Sequence, residues 1–212
     1  MVAIKKQIAK VGGLLLLSAS GAAFAAGPGA ASPVGWYLGG GVGQSDANGI
    51  NASDLNDGSL SGGSSDHTDV AWELFGGYRL NSHFALEAGW IDLGKFKAAG
   101  ISSGTGDTWD AGPVSANVKV DGFDVAAVGI WPIGDRLELF GKVGGLYSKA
   151  DYSVTNAGLS GSNNEHNTDV LFGAGANYKL TQNAALRAEV RRFKVGGDVD
   201  YYSLSALWYF SS

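Results

Sequence analysis

The feature that most constrains the fold is a two-residue alternation of apolar and polar side chains, which recurs from residue 34 to the end of the chain. In the segment Thr68–Leu80, for example, Val70 and Trp72 alternate with Asp69 and Glu73. Successive side chains of a β-strand point to opposite faces, whereas an amphipathic helix requires a 3.6-residue period, which this part of the chain lacks. The sequence therefore predicts an all-β protein.

Eight segments show this alternation, and turn-forming residues separate them. The predicted strands are Val34–Gln44, Thr68–Leu80, His83–Leu93, Asn117–Trp131, Arg136–Ser148, Thr168–Leu180, Ala185–Val195 and Tyr201–Phe210. Tight turns are predicted at 81–82, 132–135 and 181–184, whereas the connections at 45–67, 94–116 and 149–167 are long and rich in Gly, Ser, Asn and Asp. Short turns at one rim and long loops at the other are typical of bacterial outer-membrane barrels.

The first 25 residues have the pattern of a secretory signal peptide. Lys5, Lys6 and Lys10 precede an apolar run centred on Leu14–Leu17, and an Ala-Phe-Ala sequence ends at Ala25. The alternative is an anchor helix, but the apolar run is shorter than the ~20 residues that cross a bilayer. We expect cleavage after Ala25, which leaves residues 26–212 as one exported barrel domain.

Composition excludes several classes of function. The chain has no cysteine, which excludes disulfides, thiol nucleophiles and cysteine-based metal sites. Its formal net charge of −5 gives no basic surface for nucleic acid. Neither a cofactor nor a nucleic-acid partner is therefore expected.

Aromatic side chains on the apolar faces gather near the two predicted rims, with Leu, Val, Ala and Gly between them. Near the short-turn rim these are Trp36, Tyr78, Phe84, Trp131, Tyr178, Trp208 and Phe210, and near the long-loop rim they are Trp72, Trp90, Tyr147 and Tyr202. A soluble barrel that encloses a ligand would show the same alternation with its apolar face inside. Two aromatic bands instead match the interfacial girdles of a membrane barrel, so we expect the apolar face to contact lipid.

The polar faces carry charges of both signs. The predicted interior residues are Glu73, Glu87, Asp124, Glu138, Lys142, Arg187, Glu189 and Arg191. An eight-stranded barrel is just wide enough for side chains to fill it, so these charges should pair and plug the lumen. We expect Lys142 and Arg187 to be the central cations, with Glu73, Asp124, Glu138 and Glu189 as acceptors and with Asp124 opposite Lys142. The alternative is a narrow or gated ion path.

Candidate catalytic and metal-binding residues are few. The three histidines, His67, His83 and His166, lie at turns or where long connections meet strands, and no His-x-Ser-Asn string occurs. The acidic first connection lacks the spacing of a calcium loop. The glycine stretch Gly39–Gly43 lies within a strand, where it favours close packing inside the barrel over phosphate binding. No catalytic residue or metal ligand is expected.

Several strings resemble the small eight-stranded outer-membrane barrels related to the transmembrane domain of outer-membrane protein A. They are Gly35–Gly43, Gly76–Leu80 followed by Ala85–Trp90, and Leu186–Glu189 followed by Asp198–Leu204. The resemblance covers Gly35–Phe210 and implies an eight-stranded antiparallel up-and-down transmembrane β-barrel in a Gram-negative outer membrane. It also implies that the barrel-insertion machinery recognises the last strand at Phe210, although two serines follow. No second domain of the peptidoglycan-binding kind is expected.

The sequence thus predicts a non-enzymatic, monomeric outer-membrane barrel with a structural and surface-interaction role. Its expected partners are outer-membrane lipid and lipopolysaccharide, together with an unidentified ligand of the four external loops. Three alternatives stay open: a small-solute or ion channel, an enzyme that modifies lipid A or phospholipid, and a soluble periplasmic carrier.

Overall fold

The computed structural model describes residues 34–47, 57–157, 159–194 and 198–210, which form nine β-strands. The strands are β1 (Gly35–Ala47), β2 (Leu60–Asp66), β3 (Thr68–Arg79), β4 (Phe84–Ser102), β5 (Gly112–Ile133), β6 (Leu137–Asn156), β7 (Leu159–Lys179), β8 (Ala184–Lys194) and β9 (Asp198–Tyr209). No helix within these ranges is long and apolar enough to cross a membrane. The predicted signal peptide lies outside the described residues, as do Val195 and the last two serines.

Eight of the nine strands close into a ring. Strands β3 to β9 pair antiparallel with their neighbours in chain order, and β1 pairs with both β3 and β9. The ninth strand, β2, comes just before β3 in the chain and pairs with the far end of β4. The predicted eight-stranded antiparallel barrel is confirmed, and β2 extends the line of β3 beyond the ring.

Local side-chain hydrogen bonds set the tight turns at one rim. The Asn81 Oδ1 atom accepts hydrogen bonds from the backbone N–H groups of His83 and Phe84, at 2.8 and 3.0 Å. In the turn between β7 and β8, the Thr181 hydroxyl accepts one from the Ala184 N–H at 3.0 Å. Short polar side chains that bond the backbone ahead of them are the usual means of reversing a chain. Strands can therefore be joined at this rim by a few residues.

The connections predicted as long loops are mostly strand, and this part of the prediction was wrong. Strands β4 to β7 continue well past the ends of β8 and β9, and β2 lies within the first of these connections. Glycine, serine and asparagine weaken the hydropathy pattern there, but Val114 and Val120 point inward and are buried. Cross-strand bonding together with this one buried face is sufficient to keep the chain extended. We call β2 and the parts of β4 to β7 above the ring the outer wall.

The faces of the strands alternate as predicted, and β8 shows this along its length. Leu186, Ala188 and Val190 are exposed, whereas Arg187 and Glu189 are buried. The exposed apolar residues form the outer surface of the ring, and the polar row lines its interior. A barrel with an apolar outside and a polar inside is suited to a bilayer rather than to water.

Candidate functional site: charged residues inside the barrel

Charged side chains fill the middle of the barrel interior. They alternate with outward apolar residues along β3, β4, β5, β6 and β8, so strand geometry points all of them into the lumen. The eight residues predicted for the interior are each no more than 5% exposed. They are Glu73, Glu87, Asp124, Glu138, Lys142, Arg187, Glu189 and Arg191. The structure divides them between two groups at different depths.

The larger group, which we call the charged layer, contains all of these residues except Glu138. On one side of it, Glu87 binds two cations: Lys142 Nζ at 2.6 Å and Arg187 Nη1 at 2.7 Å. The Tyr37 hydroxyl donates a hydrogen bond to the same carboxylate at 2.7 Å. Lys142 also contacts Glu189 Oε1 at 3.2 Å. Glu87, which was not among the acceptors predicted for the central cations, is therefore their main acceptor.

Arg191 forms the other side of the charged layer. Its Nη2 atom lies 2.8 Å from Glu73 Oε2, its Nε atom 2.9 Å from Glu189 Oε1, and its Nη1 atom 3.6 Å from Asp124 Oδ2. The Ser205 hydroxyl donates to the second oxygen of Glu73 at 2.8 Å. Glu189 joins the two sides of the layer, because it contacts cations in both.

A smaller group lies at the short-turn rim. The Arg79 guanidinium binds both carboxylate oxygens of Glu138, at 3.0 and 3.1 Å, and Lys179 Nζ contacts the same carboxylate at 3.2 Å. Arg79 also donates to the backbone oxygens of Asn81 and Ser82. Arg79 and Lys179 were not among the predicted interior residues, and the predicted pairing of Glu138 with the central cations is wrong. Glu138 is the second residue of β6 and lies at the rim, below the charged layer.

The predicted juxtaposition of Asp124 and Lys142 is also wrong. Asp124 lies opposite Leu146, because Ile133 pairs with Leu137 and the turn is centred two residues later than the prediction requires. The cause is a proline that was taken as part of the turn.

Pro132 lies within β5 rather than in the turn. The N–H of Ile130, two residues earlier, points toward β4 and bonds the His83 oxygen at 2.7 Å. The nitrogen of Pro132 points the same way, but β4 begins opposite Gly129 and has no residue left to pair there. A proline is tolerated in a strand where its nitrogen faces no partner.

Apolar side chains pack on both sides of the charged layer. On the short-turn side, the rings of Phe75 and Phe140 lie 5.0 and 4.5 Å from the Arg187 guanidinium carbon. This short-turn cluster comprises Tyr37, Phe75, Ala85, Val128, Ile130, Phe140, Ala185, Leu207 and Tyr209. A second cluster on the outer-wall side includes Ile91, Leu93, Phe96, Leu146, Leu171, Phe193 and Tyr201. The ions are thus packed among apolar side chains and aromatic faces.

Inward glycines make room for these aromatic rings. A Cβ atom on Gly39 would overlap the ring of Phe75, and one on Gly175 would lie 2.7 Å from the ring of Phe140. Real Cβ atoms do not approach other atoms so closely, so only glycine fits beside the rings at these positions. The glycine-rich first strand accordingly packs inside the barrel.

The predicted girdle residues all lie on the exposed outer surface. Their exposed fractions range from 37% for Tyr78 to 65% for Trp36, and these two rings pack edge to face at 5.0 Å. Phe123, which was not among the predicted girdle residues, is exposed and lies between Trp90 and Tyr147 as their cross-strand partner. The aromatic band on the outer-wall side, which we call the upper aromatic band, is therefore continuous across β4, β5 and β6.

The histidines lie apart from one another in the fold. The Nδ1 atom of His83 is 2.8 Å from the hydroxyl of its neighbour Ser82 on an exposed turn, and the ring of His166 stacks on Tyr147. Within the described ranges no hydrogen bond links His83 to a carboxylate that would orient it as a base. In the same ranges no group of three or more His, Asp or Glu side chains is arranged around a metal position.

Two ionisable groups of the outer wall and its connections have shifted pKa values. Lys119 Nζ lies 3.2 Å from Asp92, and this hydrogen bond raises the pKa of Lys119 above its ordinary value. The Ser59 hydroxyl and backbone N–H groups, including that of Thr108, bond the Asp57 carboxylate and lower the pKa of Asp57. Asp57 thereby ties the start of β2 to the β4–β5 connection.

Known proteins share this architecture. Residues 33–202 match the family model of the OmpA-like transmembrane domain, which spans the barrel from β1 into β9. The chain belongs to the OmpA-like transmembrane domain family. Curated relatives include outer membrane protein A of Klebsiella aerogenes, 26% identical over 165 residues, and that of Serratia marcescens, 30% identical over 128 residues. These matches cover 77% and 58% of this OmpA-like chain and 42% and 32% of the relatives, so the chain spans less than half of their length.

Solved structures show the same fold. Ail, the attachment invasion locus protein of Yersinia pestis, matches with a TM-score of 0.52 and 16% identity, over 84% of this chain and 99% of that one. The outer membrane protein OprG of Pseudomonas aeruginosa matches with a TM-score of 0.54 and 11% identity, over 86% and 99%. This OmpA-like chain is a β-barrel protein of the bacterial outer membrane.

Proposed function

We propose that the protein is a structural barrel with a closed lumen, and that its outer wall serves as an interaction surface. It acts without catalysis in this proposal. The observation that carries the closed lumen is the charged layer, whose ions are buried between two apolar clusters. An ion crossing the barrel would have to separate these pairs and displace the rings of Phe75 and Phe140.

The energetics favour closure. The barrel has eight strands in its ring, so side chains alone can fill its width. A buried ion needs charged or hydrogen-bonding partners to offset its desolvation, and six of the seven members of the charged layer have one within 3 Å. Opening a path would leave several of these ions without partners at once.

Planar-bilayer conductance tests this proposal. The wild-type protein should pass no steady current. Phe140→Ala removes a buried ring beside Arg187 and should produce current steps, whereas Leu139→Ala removes an outward side chain of the same strand and should leave the bilayer silent. The change in gel mobility on boiling identifies the folded barrel in each sample. A large steady current through the wild type would support the ion-channel function instead.

The surroundings of the histidines support the absence of catalysis. A serine nucleophile of a lipid-modifying enzyme requires a histidine base that a third group orients. Ser82 and His83 are adjacent residues on a solvent-exposed turn, where water competes for both of their side chains. The rate at which the folded barrel hydrolyses phospholipid should therefore be the same for the wild type and for His83→Ala, namely the background rate.

We propose lipopolysaccharide as the lipid partner. Outward lysines stand directly above the upper aromatic band: Lys95 and Lys97 on β4, Lys119 on β5 and Lys149 on β6. Ammonium groups at headgroup depth suit the phosphates of lipopolysaccharide. Replacement of Lys95 and Lys97 by serine should reduce co-purification of lipopolysaccharide with the folded barrel. The same replacement at Lys194, which lies on the other side of the barrel, serves as control.

Assembly of the barrel involves its last strand. We propose that the insertion machinery recognises Phe210, which is 51% exposed and directly follows β9. The Phe210 N–H donates to the oxygen of Trp36 at 2.9 Å, so this residue also joins the ends of the first and last strands. Phe210→Ala should slow insertion in cells.

The barrel is proposed to be monomeric.

A further inference from the structure

Strand β7 forms one edge of the outer wall, where it has a neighbour on a single side among the described residues. Strand β7 pairs with β6 along its whole length, but its pairing with β8 is confined to Leu171–Lys179. Above Leu171, β7 therefore presents an open edge toward the side where β8 has ended. With the ordinary rise of about 3.3 Å per residue, the segment Ser160–Thr168 offers roughly 30 Å of unpaired strand.

The direction of the backbone groups along this edge follows from two bonds at the other end of β7. The Lys179 N–H bonds the Arg136 oxygen on the β6 side, and the Leu180 N–H bonds the Ala184 oxygen on the β8 side. Backbone groups alternate in direction along a strand, so those of even-numbered residues point to the open edge. These residues are Ser160, Ser162, Asn164, His166 and Thr168. No backbone partner for their N–H groups lies among the described residues.

The edge lacks several of the devices by which proteins block strand addition, and the one that it has is an inward charge, that of Glu165. Such edges usually carry lysine or proline, or are bent by a bulge. The segment Ser160–Thr168 contains neither residue, and its register with β6 is unbroken. An edge of this length with regular geometry is a template for another extended chain.

Two carboxylates decide what kind of chain fits. Glu165 and Asp169 lie four residues apart on the inner face of β7, and no cation of the described chain pairs with either. A strand added at the edge would place its own inward side chains about 5 Å from them. The outward residues of this segment are Ser, Asn, His and Thr, so its outer face carries no carboxylate. Lysine or arginine on the inward face of the added strand would complement this edge.

We propose that the open edge of β7 is a strand-addition site for an extended basic peptide segment of a partner protein. The backbone supplies the affinity through hydrogen bonds, and Glu165 with Asp169 supplies the preference for basic side chains. The inference names the partner of the proposed interaction surface and rests on that part of the proposed function. It is independent of whether the lumen conducts.

Peptide binding to the folded barrel in detergent micelles tests the inference. The probe is a nine-residue peptide of alternating threonine and lysine, and its matched control has glutamate in place of lysine. The lysine peptide should bind at least about tenfold more tightly, a difference of about 1.4 kcal/mol. It should also protect the amides of Ser162, Asn164 and His166 from hydrogen exchange.

Variants separate the backbone from the charges. Asn164→Pro removes an N–H that points to the open edge and leaves the bonds to β6 intact, so it should weaken binding about tenfold. Asn164→Ala keeps the N–H and should bind like the wild type. Glu165→Gln combined with Asp169→Asn should abolish the preference for lysine over glutamate while the edge amides stay protected. Gel mobility before and after boiling shows that each variant is folded.

Three outcomes would overturn the inference. Lysine-peptide binding that protects other amides would leave an interaction surface but place the site elsewhere. Absence of binding by either peptide would count against the interaction role of the outer wall as well. Concentration-dependent self-association with protection of these amides, in the absence of peptide, would assign the edge to a second copy of the chain.

Discussion

Removal of Arg191 should destabilise the barrel more than removal of any other cation in the charged layer. Arg191 is the only cation within 4 Å of Glu73 and Asp124 among the described residues, at 2.8 and 3.6 Å. Arg191→Met leaves two buried carboxylates without a positive partner, which typically costs about 3–5 kcal/mol. The free energy of unfolding should fall by this amount.

Lys142→Met is the matched comparison, because the same side chain is introduced at the same depth. Both carboxylates that Lys142 contacts keep an arginine: Glu87 keeps Arg187 at 2.7 Å, and Glu189 keeps Arg191 at 2.9 Å. The expected cost is therefore that of two charged contacts whose carboxylates stay paired, about 1.5–3 kcal/mol.

Reversible denaturant unfolding in lipid vesicles, followed by tryptophan fluorescence, measures both costs. Adding Glu73→Gln to the Arg191→Met variant should restore part of the lost stability, with a coupling of about 0.5–3 kcal/mol, because one of the two unpaired charges is removed. A larger loss for Lys142→Met than for Arg191→Met, or no restoration by Glu73→Gln, would refute the assignment of partners within the layer.

Three further predictions follow from the packing and from the outer wall. Val143→Arg on the lipid-facing surface, midway along β6 between the two aromatic bands, should lower the free energy of unfolding by about 2–4 kcal/mol in vesicles. Gly39→Leu should cost about 1–3 kcal/mol through overlap with Phe75, and Phe75→Ala should recover part of this loss when the two changes are combined. The pKa of Asp57 is lowered in the folded state, so its contribution to stability is present above its ordinary pKa and is lost as the pH falls through the lowered value. Hydrogen-exchange protection of the Thr108 amide should fall over that range in the wild type, and Asp57→Asn should remove this pH dependence.

The barrel could be predicted from the sequence because each ring strand has one lipid-facing and one lumen-facing row. This alternation placed Glu73 and Arg187 inside and Leu139 outside without knowledge of the fold. The alternation fades in the outer wall, where the outward face is polar and the inward face mixes valine with serine and asparagine. The strands there are maintained by pairing with their neighbours, which hydropathy does not record.

The partners of the charges could not be predicted to the same degree. The odd or even position of a residue along its strand gives the face on which its side chain lies. Whether two side chains pair across the lumen depends on their depth in the barrel. Their relative depth depends in turn on the register of every strand that lies between them. An error of two residues in the position of one turn was enough to place Asp124 opposite Lys142. Arg79 was missed for a related reason: its partner Glu138 lies 59 positions away in the chain, and both are at the ends of their strands.

The charged layer has a consequence for the route by which the barrel enters its membrane. Its ion pairs join strands far apart in the chain: Glu73 and Arg191 are separated by 118 positions, and Glu87 and Arg187 by 100. A single hairpin entering the hydrocarbon alone would carry ions whose counterions are still in water, at about 2.5–3.5 kcal/mol for each charge at the bilayer centre. Stepwise entry, hairpin by hairpin, therefore accumulates a barrier that disappears only when the first and last thirds of the chain are together. Insertion has the lowest free-energy barrier when the strands curl into a nearly complete ring before they cross the membrane, because their charges are then already paired.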